Sequence, residues 1–138
     1  MNIQKIQDML IAHEGLKLKL YRCTENKLTV GIGRNLESRG ITKNEALYLL
    51  GNDIRLCAAD LPSVFSGFTS LPENVKMVLM DMRFQLGPNR FRKFKNMIRA
   101  VKNHDWPEMI KQMKDSRWYR QVPNRAHNLI KLVQVLID

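Results

Sequence analysis

A carboxyl group is best placed for acid–base work at a junction between elements, rather than along a solvated helix face. Glu14 stands at such a junction. Ile3, Ile6 and Leu10 recur before it at helical spacing, and Gly15 follows it. Leu16, Leu18 and Leu20 then alternate with Lys17, Lys19 and Tyr21. A glutamate held there can give a proton to a substrate atom or take one from it. Position alone does not separate that role from an ordinary surface charge, which most glutamates are. The two thiols, Cys23 and Cys57, form no disulfide framework and match no metal-ligand spacing, so two free thiols are expected. His104 and His127 have no partner signal and read as surface residues. No spacing suggests a metal, a nucleotide or a prosthetic group, so no cofactor is expected.

The elements that must position Glu14 follow from the apolar periods. A short helix starts near Asn2. A half-buried strand carries Leu16, Leu18 and Leu20, a polar turn spans Thr24 to Lys27, and Leu28, Val30 and Ile32 alternate around Gly31 and Gly33. That pattern predicts a β-hairpin followed by a bend that glycine permits. Everything after Gly40 reads as helix. Thr42-Lys43-Asn44-Glu45 is a capping box. The helix it opens is expected to turn Ala46, Leu49, Leu50, Ile54 and Cys57 inward and to stop before Pro62. Pro72 suits the first turn of the next helix, whose apolar face is Val75, Val78, Leu79, Met82 and Leu86 and whose end is Gly87-Pro88. Phe91, Phe94, Ile98 and Val101 mark a further helix. Asp105-Trp106-Pro107-Glu108 opens another, and Pro123 precedes the last. The class is therefore α+β and mostly helical. A single domain is expected, with a small hairpin lobe and linking helix over roughly 12–60 and a helical lobe from 1–11 and 61–138. A cleft between such lobes is a natural ligand site.

The 138 residues, 44% of them hydrophobic, suffice for one packed core, and eight methionines suit irregular gaps in helical packing. The formal charge of +10 predicts attraction to a polyanion. The cations from Arg90 to Arg125 interleave with apolar residues, so they line solvated helix faces. The first ten residues are too polar for a secretory signal, and no apolar run approaches the ~20 residues of a membrane span.

Several blocks in this order resemble one family. His13-Glu14-Gly15-Leu16, Leu20-Tyr21 and Leu28-Thr29-Val30-Gly31-Ile32-Gly33 are similar to the signature of the phage T4-type lysozymes. Ile41-Thr42-Lys43-Asn44-Glu45-Ala46, Phe84-Gln85-Leu86-Gly87, Ser116-Arg117-Trp118-Tyr119 and Pro123-Asn124-Arg125-Ala126 continue the likeness almost to the end. The resemblance implies a lysozyme-like fold and hydrolysis of the β-1,4 bond between N-acetylmuramic acid and N-acetylglucosamine. It makes Glu14 the general acid, Arg125 the arginine that supports it, and Thr29 the threonine that helps hold the attacking water. The family inverts configuration, so the water attacks opposite the leaving group. Phe84 and Gln85 match substrate-contacting residues. Asn35, Met97 and Gln112 occupy contact positions without matching the family residue.

One departure bears on the chemistry. The family carries an aspartate nine residues after the glutamate, where this chain has Cys23. A thiol near its free pKa of about 8.5 is mostly neutral at pH 7 and is a poor substitute for a carboxylate. Cys23 can then act as base, as nucleophile, as a polar group that positions water, or as an inert residue in a weakened enzyme. Glu25 is a second, displaced carboxylate. Smaller departures are His13 and Arg34, the latter expected to pair with Asp53. Trp106, Trp118 and Tyr119 are read as packing.

The partners implied are bacterial peptidoglycan and the anionic cell envelope. A monomer is expected, with no nucleic acid bound and no stable membrane insertion. The implied route is accumulation in a host cytoplasm and action on the wall after release. Two rivals stand beside this reading. One is a lysozyme-derived wall-binding protein disabled at Cys23. The other is a basic nucleic-acid module, which charge suggests but which leaves the hairpin unexplained and lacks a helix-turn-helix.

Overall fold

A computed structural model describes residues 1–138 as two compact units, Met1–Leu49 and Leu50–Asp138. The chain is mostly helical with one small antiparallel sheet, as the periodicity predicts.

In the first unit, α1 spans Ile3–Glu14. Asn2 caps it by accepting a hydrogen bond from the Lys5 amide at 3.0 Å. Gly15, at φ 76°, closes its far end by donating to the Ile11 carbonyl. Glu14 is thus the last helical residue, where the junction was expected. The sheet has the order β1-β2-β3, with β1 at Lys17–Arg22, β2 at Leu28–Gly31 and β3 at Arg34–Asn35. Tyr21 faces Thr29, and Arg22 faces Leu28. The third strand and α2 (Leu36–Arg39) occupy what the sequence presents only as a bend.

Within this unit only Thr29 is buried. Leu16, Leu18 and Leu20 are exposed, not half-buried as their alternation suggests. Alternation reports that a strand has two faces; it does not supply a layer to cover one of them.

The capping box forms as expected at the start of α3 (Lys43–Val64): the Glu45 amide donates to Thr42 Oγ1 at 3.1 Å, and the Thr42 amide donates to Glu45 Oε1 at 2.8 Å. Glu45 also takes both Nη atoms of Arg34, at 3.0 and 2.7 Å. This corrects the expected Arg34–Asp53 pair. Asp53 lies eight residues along the same helix, roughly 12 Å of rise from Glu45, and the capping carboxylate is already in front of β3. The Arg34 guanidinium, and after it the Thr42 amide, hold Glu45 at a pKa of about 2. A depressed carboxyl stabilises the fold above its unfolded pKa and loses that contribution as pH falls through the folded one. Glu45→Gln should therefore melt below the parent at pH 7, and the gap in melting temperature should close between about pH 4.5 and pH 2. A gap independent of pH would show that the charge is not what matters.

The second unit contains the core. It holds the remainder of α3, a 3-10 turn at Phe68–Ser70, and α4 (Glu73–Arg92), α5 (Lys95–Lys102), α6 (Trp106–Lys114), α7 (Arg117–Gln121) and α8 (Pro123–Gln134). Leu61, Val75, Leu79, Met82, Phe91, Met97, Met109 and Met113 are among its fully buried side chains, so half of the methionines do fill the helical core. Of the residues expected to face inward along α3, only Cys57 is buried; Ala46, Leu49, Leu50 and Ile54 are exposed. The helix also runs through Pro62 to Val64 rather than stopping before it. The Phe65 amide then closes the last turn on the Leu61 carbonyl. Gly87, at φ 81° and ψ 172°, breaks α4 where Gly87-Pro88 was expected to end it.

One ion cluster ties α3 to α4. Asp60 accepts from Arg83 Nε at 2.7 Å and from both Nη atoms of Arg92 at 2.9 and 2.7 Å. These two guanidiniums, Arg92 first, hold its carboxyl well below the usual carboxylate range. Arg83 is 7% exposed in its side chain. Asp60→Ala would leave it buried without a counter-charge, at a cost of roughly 3 kcal/mol. Urea denaturation should show that as a lower midpoint at unchanged slope. A loss under about 1 kcal/mol would mean that water reaches Arg83 and the pair is an ordinary surface one.

Candidate active site

The first unit brings Glu14 against Gly33. An ideal Cβ on Gly33 would lie 2.6 Å from Glu14 Oε2 and 2.8 Å from its Cδ. The carboxyl thus occupies the space that any other residue's Cβ would fill. Gly33 also sits at φ 67°, where L side chains are strained. The bend between β2 and β3 therefore does two things at once: it turns the chain and it seats the carboxyl at the end of α1. The Gly31-Ile32-Gly33 pattern was visible in the sequence as a turn signal, but nothing in the spacing shows that the second glycine receives a carboxylate.

Cys23 and Thr29 share the neighbouring hairpin. The turn is closed by the Cys23 amide donating to the Lys27 carbonyl at 3.0 Å and the Asn26 amide donating to the Cys23 carbonyl at 2.8 Å, with Asn26 at φ 60°. The thiol faces the Lys27 amide first, then the Glu25 amide, with the Thr29 hydroxyl also nearby, and these donors hold it below the ordinary thiol pKa. Thr29 is 2% exposed and its hydroxyl donates to the Lys27 carbonyl at 2.8 Å. Cys57 is the opposite case, buried and pushed up by desolvation. Neither cysteine is in a disulfide. Asn35 spends its side-chain oxygen on the Ser38 amide as the cap of α2.

In the second unit Arg125 donates through Nε to Asp81 Oδ1 at 2.6 Å. Sequence reasoning did not find Asp81, because a carboxylate on a helix forty-four residues away leaves no local signal. Arg125, Asp81 and Phe84 line one hollow of about 620 Å³ together with Ile54, Phe68 and Met77. Phe84 is 44% exposed, so it is not core. Gln85 accepts from the Trp118 indole N–H at 2.9 Å, which fixes its amide with the NH2 group left free to donate. Trp118 is packed as expected, at 3% exposure and edge-on to Phe94, but it also orients a polar neighbour. Met97 and Gln112 line a different hollow, of about 500 Å³, with Phe94 and Ser116. Met97 is buried among the core residues of α5, so little of it is offered to a ligand. Gln112 donates to Glu108 Oε1 at 2.8 Å. The expected contact positions of the helical unit thus fall into two groups.

Comparison with known proteins places the chain in a family. The phage lysozyme family matches residues 11–133. Probable T4-type lysozymes 2 and 1 of Dictyostelium discoideum are 28% and 29% identical, each over 96% of this chain and 95% of their own length. The pre-baseplate central spike protein of Enterobacteria phage T4 is 28% identical over 91% of this chain, which corresponds to 27% of that longer protein. With a family match from the end of α1 to the last turn of α8, the chain belongs to the phage lysozyme family.

Proposed function

We propose that this protein is a lysozyme of the endolysin kind, hydrolysing the β-1,4 bond between N-acetylmuramic acid and N-acetylglucosamine in peptidoglycan. The observation that carries the reading is the carboxyl of Glu14 seated on Gly33, at the position matching the family acid. Glu14 gives its proton to the leaving oxygen, and Thr29 and Cys23 manage the attacking water. Phe84 offers an apolar face to the sugar and Gln85 a fixed amide donor. A peptidoglycan hydrolase of Pseudomonas phage phiKMV, 38% identical over 53 residues, supports the same substrate class.

The thiol is the weak part of the machinery. Its lowered pKa leaves more of it as thiolate than in a free cysteine, whereas an aspartate at this position would be ionised at neutral pH. Reducing-end release from purified peptidoglycan should be measurable for the parent and should rise roughly tenfold in Cys23→Asp. An unchanged rate in the variant would remove Cys23 from the water-handling role. Release by the variant alone would favour the second reading, a wall-binding lysozyme disabled at this residue.

A further inference from the structure

The second unit carries a hollow of about 430 Å³ that is separate from the residues assigned above. Arg92, Lys95, Arg99 and Lys102 line it, over an apolar floor of Val64 and Ile98. Its origin is the amphipathic pattern of α5. Met97, Ile98, Ala100 and Val101 are buried, which leaves Lys95, Arg99 and Lys102 on the other face at spacings of four and three. The ends of α3 and α4 bring Ser63, Val64 and Arg92 to the same place.

The electrostatics are one-sided. No acidic side chain lines the hollow. Behind it, the single carboxylate of Asp60 serves both Arg83 and Arg92, so two guanidiniums share one negative charge. Arg92 is held in place by Asp60, by Ser63 Oγ at 3.0 Å and by the Pro88 carbonyl at 3.0 Å. Its charge is fixed at the rim even though most of its fork is used. Lys95 and Lys102 make no ion pair, and Arg99 makes one long bond of 3.4 Å to Asn96. Converging cations repel one another, and a bound anion relieves that repulsion.

We propose that this hollow is a binding site for the phosphodiester groups of an anionic polyol-phosphate polymer of the bacterial envelope. The choice of an envelope polymer rests on the proposed lysozyme reading; the phosphate chemistry does not. Two ammonium groups and a guanidinium are the donors that suit phosphate oxygens. The volume exceeds one phosphate, and the floor of Val64 and Ile98 accepts the carbon side of an adjoining polyol or sugar. A nucleic-acid strand is disfavoured because no aromatic side chain lines the hollow to stack a base. A membrane surface is disfavoured because Ile98, its most apolar lining residue, is sunk at 9% exposure rather than projecting.

The test is calorimetric titration of the full chain with poly(glycerol phosphate), with phosphate-matched duplex DNA and phosphatidylglycerol vesicles as competing sources. Arg99→Ala with Lys102→Ala is compared with Lys111→Ala with Lys114→Ala, which removes the same charge from α6. The polymer affinity should fall roughly tenfold or more in the first pair, the size expected for lost charge-assisted contacts, and less than twofold in the second. An equal fall in both pairs would reduce the effect to net charge and overturn the proposal. So would no binding of polymer by the parent, or tighter binding of DNA or vesicles through the same two residues. Reducing-end release by the parent from polymer-stripped peptidoglycan is measured in parallel. Its absence beside intact polymer binding would refute the lysozyme reading and leave the phosphate site standing.

Discussion

Glu14→Gln should abolish reducing-end release from peptidoglycan, with a loss of about 10³-fold or more, while the protein stays folded. The amide is nearly isosteric with the carboxyl but has no proton to give at the pH of the reaction. General acid catalysis accounts for roughly 10²–10⁴-fold in such reactions, and the amide forfeits nearly all of it. The side chain is exposed and makes no hydrogen bond that a glutamine would break. Its effect on stability should therefore stay within the ~0.5 kcal/mol typical of surface substitutions. Activity within tenfold of the parent would exclude Glu14 as the acid. Comparison of melting curves keeps a folding defect from being mistaken for a catalytic one.

Gly33→Ala should cost about 10²-fold in kcat, and the first unit contains its own control. Gly31 and Gly33 lie at nearly the same backbone angle, φ 72° and 67°. A methyl added at Gly31 meets nothing within 4 Å, whereas one at Gly33 meets the Glu14 carboxyl at 2.6 Å. Both substitutions incur the cost of a left-handed alanine, about 1 kcal/mol. Only Gly33→Ala displaces the acid. Because that acid is the far end of a flexible, exposed side chain, it can swing aside with little further loss of stability. Its misplacement by about 1 Å is a catalytic defect of the size stated. The two variants should thus melt alike and differ in kcat, with KM changed far less. Equal kcat values would mean that the bend matters only as a bend.

The parts of this fold that the sequence makes legible are those written in adjacent residues. Thr42 and Glu45 bond each other across one turn, so their spacing suffices to place the start of α3. Glu14-Gly15 marks a helix end because the glycine must adopt a positive φ immediately after it. Gly87 is similarly local. The misses are partners chosen in three dimensions. Arg34 was expected to pair with Asp53 and instead meets Glu45, because helix rise carries the aspartate away. Asp81 and Asp60 became visible only when α4 met its neighbours. Leu18 shows the limit of periodicity: its alternation is strand-like, yet it is 85% exposed. The candidate site was legible only as residues that match the family motif, and the seat that Gly33 gives the Glu14 carboxyl by lacking a Cβ was not legible.

The bond between Trp118 and Gln85 gives the protein an optical consequence. The chain has two tryptophans, and Trp106, stacked on His104, is only partly buried. Trp118 is dry except for the amide oxygen that its indole N–H holds. On the proposed reading, a sugar that recruits the free end of Gln85 would tilt that amide and alter the one polar contact on the indole. Emission from Trp118 would then report glycan occupancy without a label, from a residue buried in the core.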